Sequence, residues 1–379
     1  MIYLDNNSTT MVDKRVLKKM LPYFSEKFNN PHSQLTVHNK DIIKNLEKAR
    51  AEIARLIGAE KEEIIFTSGA TEANNLAIKG MMSRVLRGKN HFISLNTEHK
   101  CVLEALRKLE LKNCKLTILN VKKNGLIDLN EFKKSINNKT VLVSIMMANN
   151  ETGVIQPIEK IAQICKEKKI LFHTDAAQAI GKISVNVKKM KIDMMSISAH
   201  KFYGPKGIGA LYIKNKPRIR IDTLIDGGGQ ERNLRSGTLP VPLCIGFGEA
   251  AKIARNEFIK DFKKTKLLRD NFINTLKKKI KGIKINGCMR RRLPGNINLS
   301  IPGIKSFELI SKLEKTVISS GSACTSSSIE SSYVLEGMKL TPDIVESSIR
   351  IGIGKFNSQK EINIAIKELE FIVHKMRTL

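Results

Sequence analysis

ILFHTDAAQAIGKISVNVKKMKIDMMSISAHKFYGPKGIGALYIK, residues 170–214, decides the fold. It holds three short apolar runs rich in β-forming residues: ILFHTDA (170–176), DMMSISA (193–199) and IGALYIK (208–214). Runs of this length, bounded by Gly, Pro and polar clusters, read as buried strands. Asp175 through Gln178 close the first run, and His200-Lys201 follows the second. The turn YGPKG (203–207) then separates the second and third runs, which read as a closing pair of strands.

Working upstream, the same alternation continues. Residues 41–57 carry apolar side chains at helical spacing, with Gly58 as a stop. EIIFTS (63–68), HFISLN (91–96), KLTILN (115–120) and VLVSIMMAN (141–149) read as strands. Helices are expected over 71–87, from 99, and over 158–168. Strands alternating with helices of 10–15 residues predict an α/β fold, a mainly parallel sheet flanked by helices on both faces. Ligands of such sheets bind at the carboxyl ends of the strands, and Gly69-Ala70-Thr71-Glu72, Asn149-Asn150-Glu151 and Asp175–Gln178 sit there.

Downstream, a Lys-rich helical stretch runs from 245 to 281, followed by short strands (283–288, 296–301) and a terminal helix over 358–377. This part reads as a smaller α+β domain. Ser319–Ser332 is SSGSACTSSSIESS, eight serines in fourteen residues, the composition of a loop. No apolar run is long enough to span a bilayer, and MIYLDNNSTT lacks the basic and apolar regions of a secretory signal. The six cysteines show no CxxC and no Cys/His pairing, so a structural zinc is not expected and a reducing cytoplasm is. Five of the six read as packing residues. The formal charge of +30 comes from 49 Lys and 17 Arg against 36 acidic residues. Nucleic-acid sites favour Arg with aromatics, whereas Trp is absent and the lysines are scattered. The charge therefore reads as solvated lysine faces, with acidic protein partners an option.

A handful of residues carry chemistry in their positions. Lys201 ends a buried strand, where desolvation lowers an ammonium pKa and suits it to Schiff-base chemistry; a surface lysine at a strand end reads the same way. Asp175, also at a strand end, needs a cation or donors, which a protonated pyridine nitrogen or a helix N-terminus would provide. Ser68–Glu72 is either a phosphate cradle at a helix start or a plain cap. His99 is an acid/base or stacking candidate. Arg350, in SSIRIGIGKF, needs an anion, either a substrate carboxylate or a structural partner. Cys324 lies in the most polar segment of the chain, as a reactive thiol would. Gly227–Gly229 and Arg235–Thr238 form a Gly-rich polar loop.

LDNNSTT (4–10), TSGATEANNLAIKG (67–80), TEHKCV (97–102), MANNETGVIQPI (147–158), HTDAAQAIGK (173–182), SISAHKFYGPKGIGALY (196–212), GGGQERNLRSGT (227–238), SSGSACTSSS (319–328) and ESSIRIGIG (346–354) occur in this order. Together, over residues 2 to 375, they resemble the cysteine desulfurases of the NifS/IscS type, in the group with a long Cys loop. The resemblance implies PLP fold type I: a large domain, residues 15–258, with a mainly parallel seven-stranded sheet, and a small domain, residues 1–14 and 259–379, carrying the Cys loop 319–332. It implies a homodimeric PLP enzyme that converts L-cysteine to L-alanine for iron–sulfur cluster assembly and tRNA thiolation. Lys201 would hold PLP, Asp175 its ring nitrogen and Gln178 its phenolic oxygen. Gly69, Ala70, Thr71, Ser198 and His200 would bind the phosphate, with Thr238 reaching it from the other subunit. His99 would stack on the ring and, with Lys201, move protons. Asn150 and Arg350 would bind the substrate. Cys324 would be the nucleophile, carry the persulfide and transiently ligate a cluster iron. An iron–sulfur scaffold protein and other sulfur acceptors are the implied partners. Many members run on into a scaffold-docking tail, whereas this sequence ends at Leu379, so the resemblance leaves docking through such a tail open. Ser8 stands where the family often has Ala, a small-for-small change. Two readings compete: a selenocysteine lyase or other PLP enzyme on the same fold, and a nucleic-acid-binding or scaffold protein favoured by the charge.

Overall fold

The computed structural model describes residues 1–31, 37–320 and 331–378. Its strands, in chain order, are β1 (Ile2–Tyr3), β2 (Ile64–Thr67), β3 (His91–Leu95), β4 (Lys115–Leu119), β5 (Thr140–Ser144), β6 (Leu171–Asp175), β7 (Met194–Ser198), β8 (Gly209–Ile213), β9 (Lys284–Ile285), β10 (Asn296–Ser300), β11 (Thr316–Val317) and β12 (Ser348–Gly352). Seven of them form one sheet in the order β2-β8-β7-β6-β5-β3-β4. Only β8 runs against the rest: it pairs antiparallel with both β2 and β7, while the other ladders are parallel. The closing pair read from the sequence is β7–β8.

The strands are almost continuously apolar because helices cover both faces. One core cluster joins Phe66, Phe172 and Ile197 to Ile53 and Ile57 of the helix Val37–Ile57 and to Phe247 of the long helix Val241–Lys279. A second, on the opposite face, joins Phe92, Leu142 and Leu211 to Leu76 and Leu106 of the helices Ala70–Lys79 and Lys100–Glu110. A third is built away from the sheet, from Ile2, Leu4, Phe272, Leu299, Ile351 and Leu369. It fastens the chain's start to the three-stranded antiparallel sheet β12-β10-β9 and to the C-terminal helix Gln359–Thr378. The helix Tyr333–Gly337 packs its Val334 and Leu335 into the first cluster.

Two expectations need correction. The run 141–149 is a strand only to Ser144; beyond it the chain leaves the sheet edge and turns at Asn149. The helix expected over 71–87 stops at Lys79 and resumes as a separate turn, Met82–Val85. Gly80 sits at the break, where a Cβ would lie 2.5 Å from the Leu76 carbonyl oxygen and 3.0 Å from Ile221 Cβ. No described helix is long and apolar enough to cross a membrane.

Candidate active site

All the parallel strands end at one edge of the sheet, and the polar clusters found in the sequence converge there. A cavity of about 360 Å³ is lined by Ser68–Thr71 after β2, His99 and Cys101 after β3, Met146, Ala148 and Asn150 after β5, Asp175, Ala177 and Gln178 at the end of β6, and Ser198, His200 and Lys201 at the end of β7. Asn7 and Ser8 enter from the N-terminal segment, and Arg350 from β12. A larger groove, about 820 Å³, lies at the opposite sheet edge between lysine and glutamate side chains. It holds none of these residues.

Lys201 follows β7 in a short 3-10 turn ended by Tyr203 in the left-handed region. Its Nζ donates to the Asn7 carbonyl oxygen at 3.0 Å and to that of Ser8 at 2.5 Å, so two neutral acceptors hold the amine in the cavity. Asp175 is buried. Its Oδ1 accepts from Ala177 N at 2.9 Å and its Oδ2 from Asn74 Nδ2 at 2.7 Å. It therefore makes the tight turn that an N-cap reading requires, yet still faces the cavity. Gln178 donates from Nε2 to the Asn7 carbonyl at 2.7 Å and accepts at Oε1 from Lys182 Nζ at 3.0 Å. Burial, reinforced by the charges of Lys201 and Arg350, lowers the Lys182 ammonium to about 7.

Helix Ala70–Lys79 begins at Gly69 with no side-chain cap. Glu72, the residue that would make a capping box, instead accepts from Ser68 N and pairs with Arg235 at 2.9 Å. The first-turn N–H groups are thus left for an anion, and among the described residues nothing beyond its own chain neighbours lies within 4 Å of where a Gly69 Cβ would be. His200, also on the cavity lining, contacts Thr9 Oγ1 through Nδ1 at 3.0 Å. Burial first, then the charges of Lys201, Lys206 and Lys182, lower it to about 4, so its ring is neutral at physiological pH.

Arg350 has lost nearly all solvent contact. Nη2 pairs with Asp5 Oδ1 at 3.0 Å and donates to Ser8 Oγ at 2.5 Å, while Nη1 reaches the Asn150 carbonyl at 3.4 Å. Arg350 Nε and Asn150 Oδ1 are buried and have no partner among the described residues. One donor and one acceptor are therefore left open on the same cavity lining. Glu151, next in the chain, is buried. Burial pushes its carboxyl up to about 7, against the opposing pull of Ser332 Oγ, which donates to Oε2 at 2.5 Å, and of Arg350. Glu98 is likewise raised by burial.

The structure brings together Lys201, Asp175, Gln178, His99, Gly69, Ala70, Thr71, Ser198, His200, Asn150 and Arg350. Thr238 is exposed and lies outside this lining. Cys324 lies outside the described residues. The residue reading missed Asn7, Asp5, Asn74 and Cys101. Cys114, Cys165 and Cys244 are buried, as packing cysteines are. Cys101 departs from that expectation: it lies at the start of helix Lys100–Glu110, with Sγ 3.0 Å from His99 Nδ1. Its TEHKC setting, at a strand-to-helix turn, was the available signal.

An amine at a strand end, an acceptor-only carboxylate, an uncapped helix N-terminus with space before it, and an Arg350 Nε and Asn150 Oδ1 that have no partner among the described residues suit PLP with an amino acid beside it. Comparisons with known proteins agree with this chemistry. The sequence matches the aminotransferase class-V family over residues 2–364. It is 50% identical over 378 residues to the cysteine desulfurase IscS of Rickettsia bellii (strain OSU 85-389), covering 100% of this chain and 92% of that protein. The identity is 49%, with the same coverage, for the cysteine desulfurase IscS of Rickettsia massiliae (strain Mtu5). Among solved structures, a NifS-like protein superposes with a TM-score of 0.92 at 37% identity, covering 98% of this chain and 99% of its own. SspA in complex with cysteine superposes at 0.83 with 36% identity, covering 94% of this chain and 100% of its own.

Proposed function

Because the chain belongs to the class-V aminotransferase family and, within it, to the cysteine desulfurases, we propose that it releases L-alanine from L-cysteine and passes the sulfur, as a persulfide on Cys324, to acceptors of iron–sulfur cluster assembly and of tRNA thiolation. The observation that carries this reading is the cavity at the sheet edge, where Lys201 and Asp175 stand with Arg350 Nε and Asn150 Oδ1, which have no partner among the described residues.

The cofactor is pyridoxal phosphate, which when bound supplies an electron sink for the pair left behind as the substrate α-proton departs. Lys201 would hold its carbonyl carbon, Asp175 its ring nitrogen and Gln178 its phenolic oxygen. The backbone of Gly69, Ala70 and Thr71, with Ser198 and His200, would hold its phosphate, completed by Thr238 from a second copy of the chain. Arg350 orients the substrate carboxylate as a planar fork, a geometry that lysine lacks, and Asn150 fixes its neighbouring polar atoms. Asp175 stays acceptor-only because Asn74 and Ala177 both donate to it. Lys201 and His99 move protons at the substrate carbon. Cys324, as thiolate, attacks the substrate sulfur; the Cβ–S bond breaks with its electron pair left on carbon, which then takes a proton.

The same proposal divides the chain into a large unit, residues 15–258, and a small unit, residues 1–14 and 259–379. It places the protein in the cytoplasm as a homodimer that meets an iron–sulfur scaffold among its acceptors. The test is an absorption spectrum of the purified protein before and after L-cysteine with a reductant. A yellow protein whose band moves, releasing sulfide and alanine in equal amounts, is expected, and Cys324→Ala should abolish turnover while keeping the colour. A yellow protein indifferent to cysteine moves the activity to another amino acid, and one that PLP cannot colour ends the reading.

A further inference from the structure

His99 is the N-cap of helix Lys100–Glu110, and its Nδ1 accepts a hydrogen bond from the Cys101 backbone N–H at 3.2 Å. A ring nitrogen that accepts carries no proton, so this contact excludes both the Nδ1–H tautomer and the imidazolium. The Cys101 Sγ lies 3.0 Å from the same Nδ1. With no hydrogen on the nitrogen, a hydrogen bond between them can run only from sulfur, so the Cys101 S–H shares the one Nδ1 lone pair with the backbone N–H. The sulfur in turn accepts from Asn74 Nδ2 at 3.2 Å. The same amide nitrogen donates its other hydrogen to Asp175 Oδ2 at 2.7 Å. The fully buried Asn74 cannot be turned over, because its Oδ1, partnerless among the described residues, would then face the carboxylate.

Every link in this chain has one direction. The carboxylate can only accept, so Asn74 must donate to it. Asn74 then has its second N–H for the sulfur, and the sulfur its S–H for Nδ1. We propose that Asn74 and Cys101 are positioning residues that relay the acceptor character of Asp175 to His99, holding its ring in place and reinforcing the Nε2–H tautomer that the helix cap selects. The consequence deepens the desulfurase reading and rests on it. A His99 that already holds a proton on Nε2 and has Nδ1 filled is a proton donor, not a base, when catalysis starts. Lys201 is then the base for the α-proton, and His99 gives its Nε2 proton later. Serine at position 101 would preserve the relay, since it also donates and accepts, and alanine would break it.

Two measurements test the relay on the holoenzyme without turnover. The first is the infrared S–H stretch, read as wild type minus Cys101→Ser. A band lowered in frequency by donation supports the relay, and Asn74→Ala should shift it again. A band at the position of an unbonded thiol, or no thiol band, overturns it. The second is the ¹⁵N spectrum of histidine-labelled protein, with His99 assigned through His99→Gln. An unprotonated Nδ1 with a protonated Nε2 is expected, and the reverse pattern overturns the proposal. In kinetics, Cys101→Ala should lower kcat about tenfold with KM within about twofold, and Cys101→Ser should recover most of the loss. Equal losses in both variants would mean that the site needs sulfur's size rather than its hydrogen bond, and would also overturn the proposal. A protein that shows both spectroscopic signatures but ignores cysteine would sink the desulfurase reading and leave the relay standing.

Discussion

Arg350 keeps a positive charge in the interior because Asp5 lies 3.0 Å from Nη2 and Ser8 Oγ lies 2.5 Å from the same nitrogen. Those partners occupy Nη2, while Nε has none among the described residues. Such an arginine forks onto a carboxylate through Nε and Nη2 once Ser8 gives up its Nη2 hydrogen, whereas a lysine offers a single point charge on a shorter reach. Arg350→Lys should therefore cost about 2–3 kcal/mol of substrate binding, a KM for L-cysteine raised roughly 50-fold, with the visible band of bound PLP unchanged. A KM within twofold of wild type, measured as sulfide release against cysteine concentration, would remove Arg350 from carboxylate recognition. The need of Arg350 for an anion is legible from its apolar setting alone. Its partner is not, because Asp5 lies at the other end of the chain and nothing local links the two. Cys101 was hidden for a different reason: a cysteine near the start of an amphipathic helix reads as packing, and only the fold turns it toward His99.

Except at the carboxyl end of β5, where the apolar run continues five residues past the strand, the strands of the central sheet are legible in the sequence to within about a residue, because buried strands are short apolar runs with sharp polar ends. The two-residue strands β1 and β11 are not, since neither has a pattern long enough to show periodicity. A further element hidden from sequence is the turn at Glu231–Asn233, where three consecutive non-glycine residues have positive φ. Such backbone is costly, and a buried ion pair holds it: Glu231 receives Arg50 Nη1 and Nη2 at 2.7 Å each, plus Phe66 N at 2.6 Å. The Arg50 guanidinium also stacks 4.5 Å above the Phe66 ring. Arg50→Met removes one charge and leaves the other buried and uncompensated. The expected loss is about 3–5 kcal/mol of stability by urea denaturation. Adding Glu231→Met should restore part of it, because the remaining charge is then gone. A single variant as stable as wild type would mean that Glu231 is satisfied by Phe66 N alone.

At the scale of the whole molecule, the two ends of the Ser-rich segment are tied to the cavity, and one tie couples to pH. Ser319 bridges to Arg350 through backbone bonds and donates its hydroxyl to Asp5, while Ser332 donates to Glu151. Burial raises the Glu151 carboxyl to about 7 and lowers His173, wedged between Ser144 and Ser196, to about 3. These groups act with opposite sign. Glu151 is protonated in the folded state and ionised in the unfolded state between about 4.5 and 7, so its contribution is present below that window and lost as pH rises through it. His173 is neutral when folded and charged when unfolded between about 3 and 6.5, so stability is lost as pH falls through that range. Where the windows overlap the two slopes, each about 1.4 kcal/mol per pH unit, oppose one another. Glu151→Gln keeps an acceptor for Ser332 and removes the titration. Relative to wild type, its stability should rise with pH from about 4.5 to 7 by up to roughly 3 kcal/mol, and run parallel above and below. Urea denaturation at a series of pH values, with PLP saturating, reads this difference directly. Parallel curves throughout would mean that Glu151 is already ionised in the folded protein and that its bond to Ser332 is a charged one.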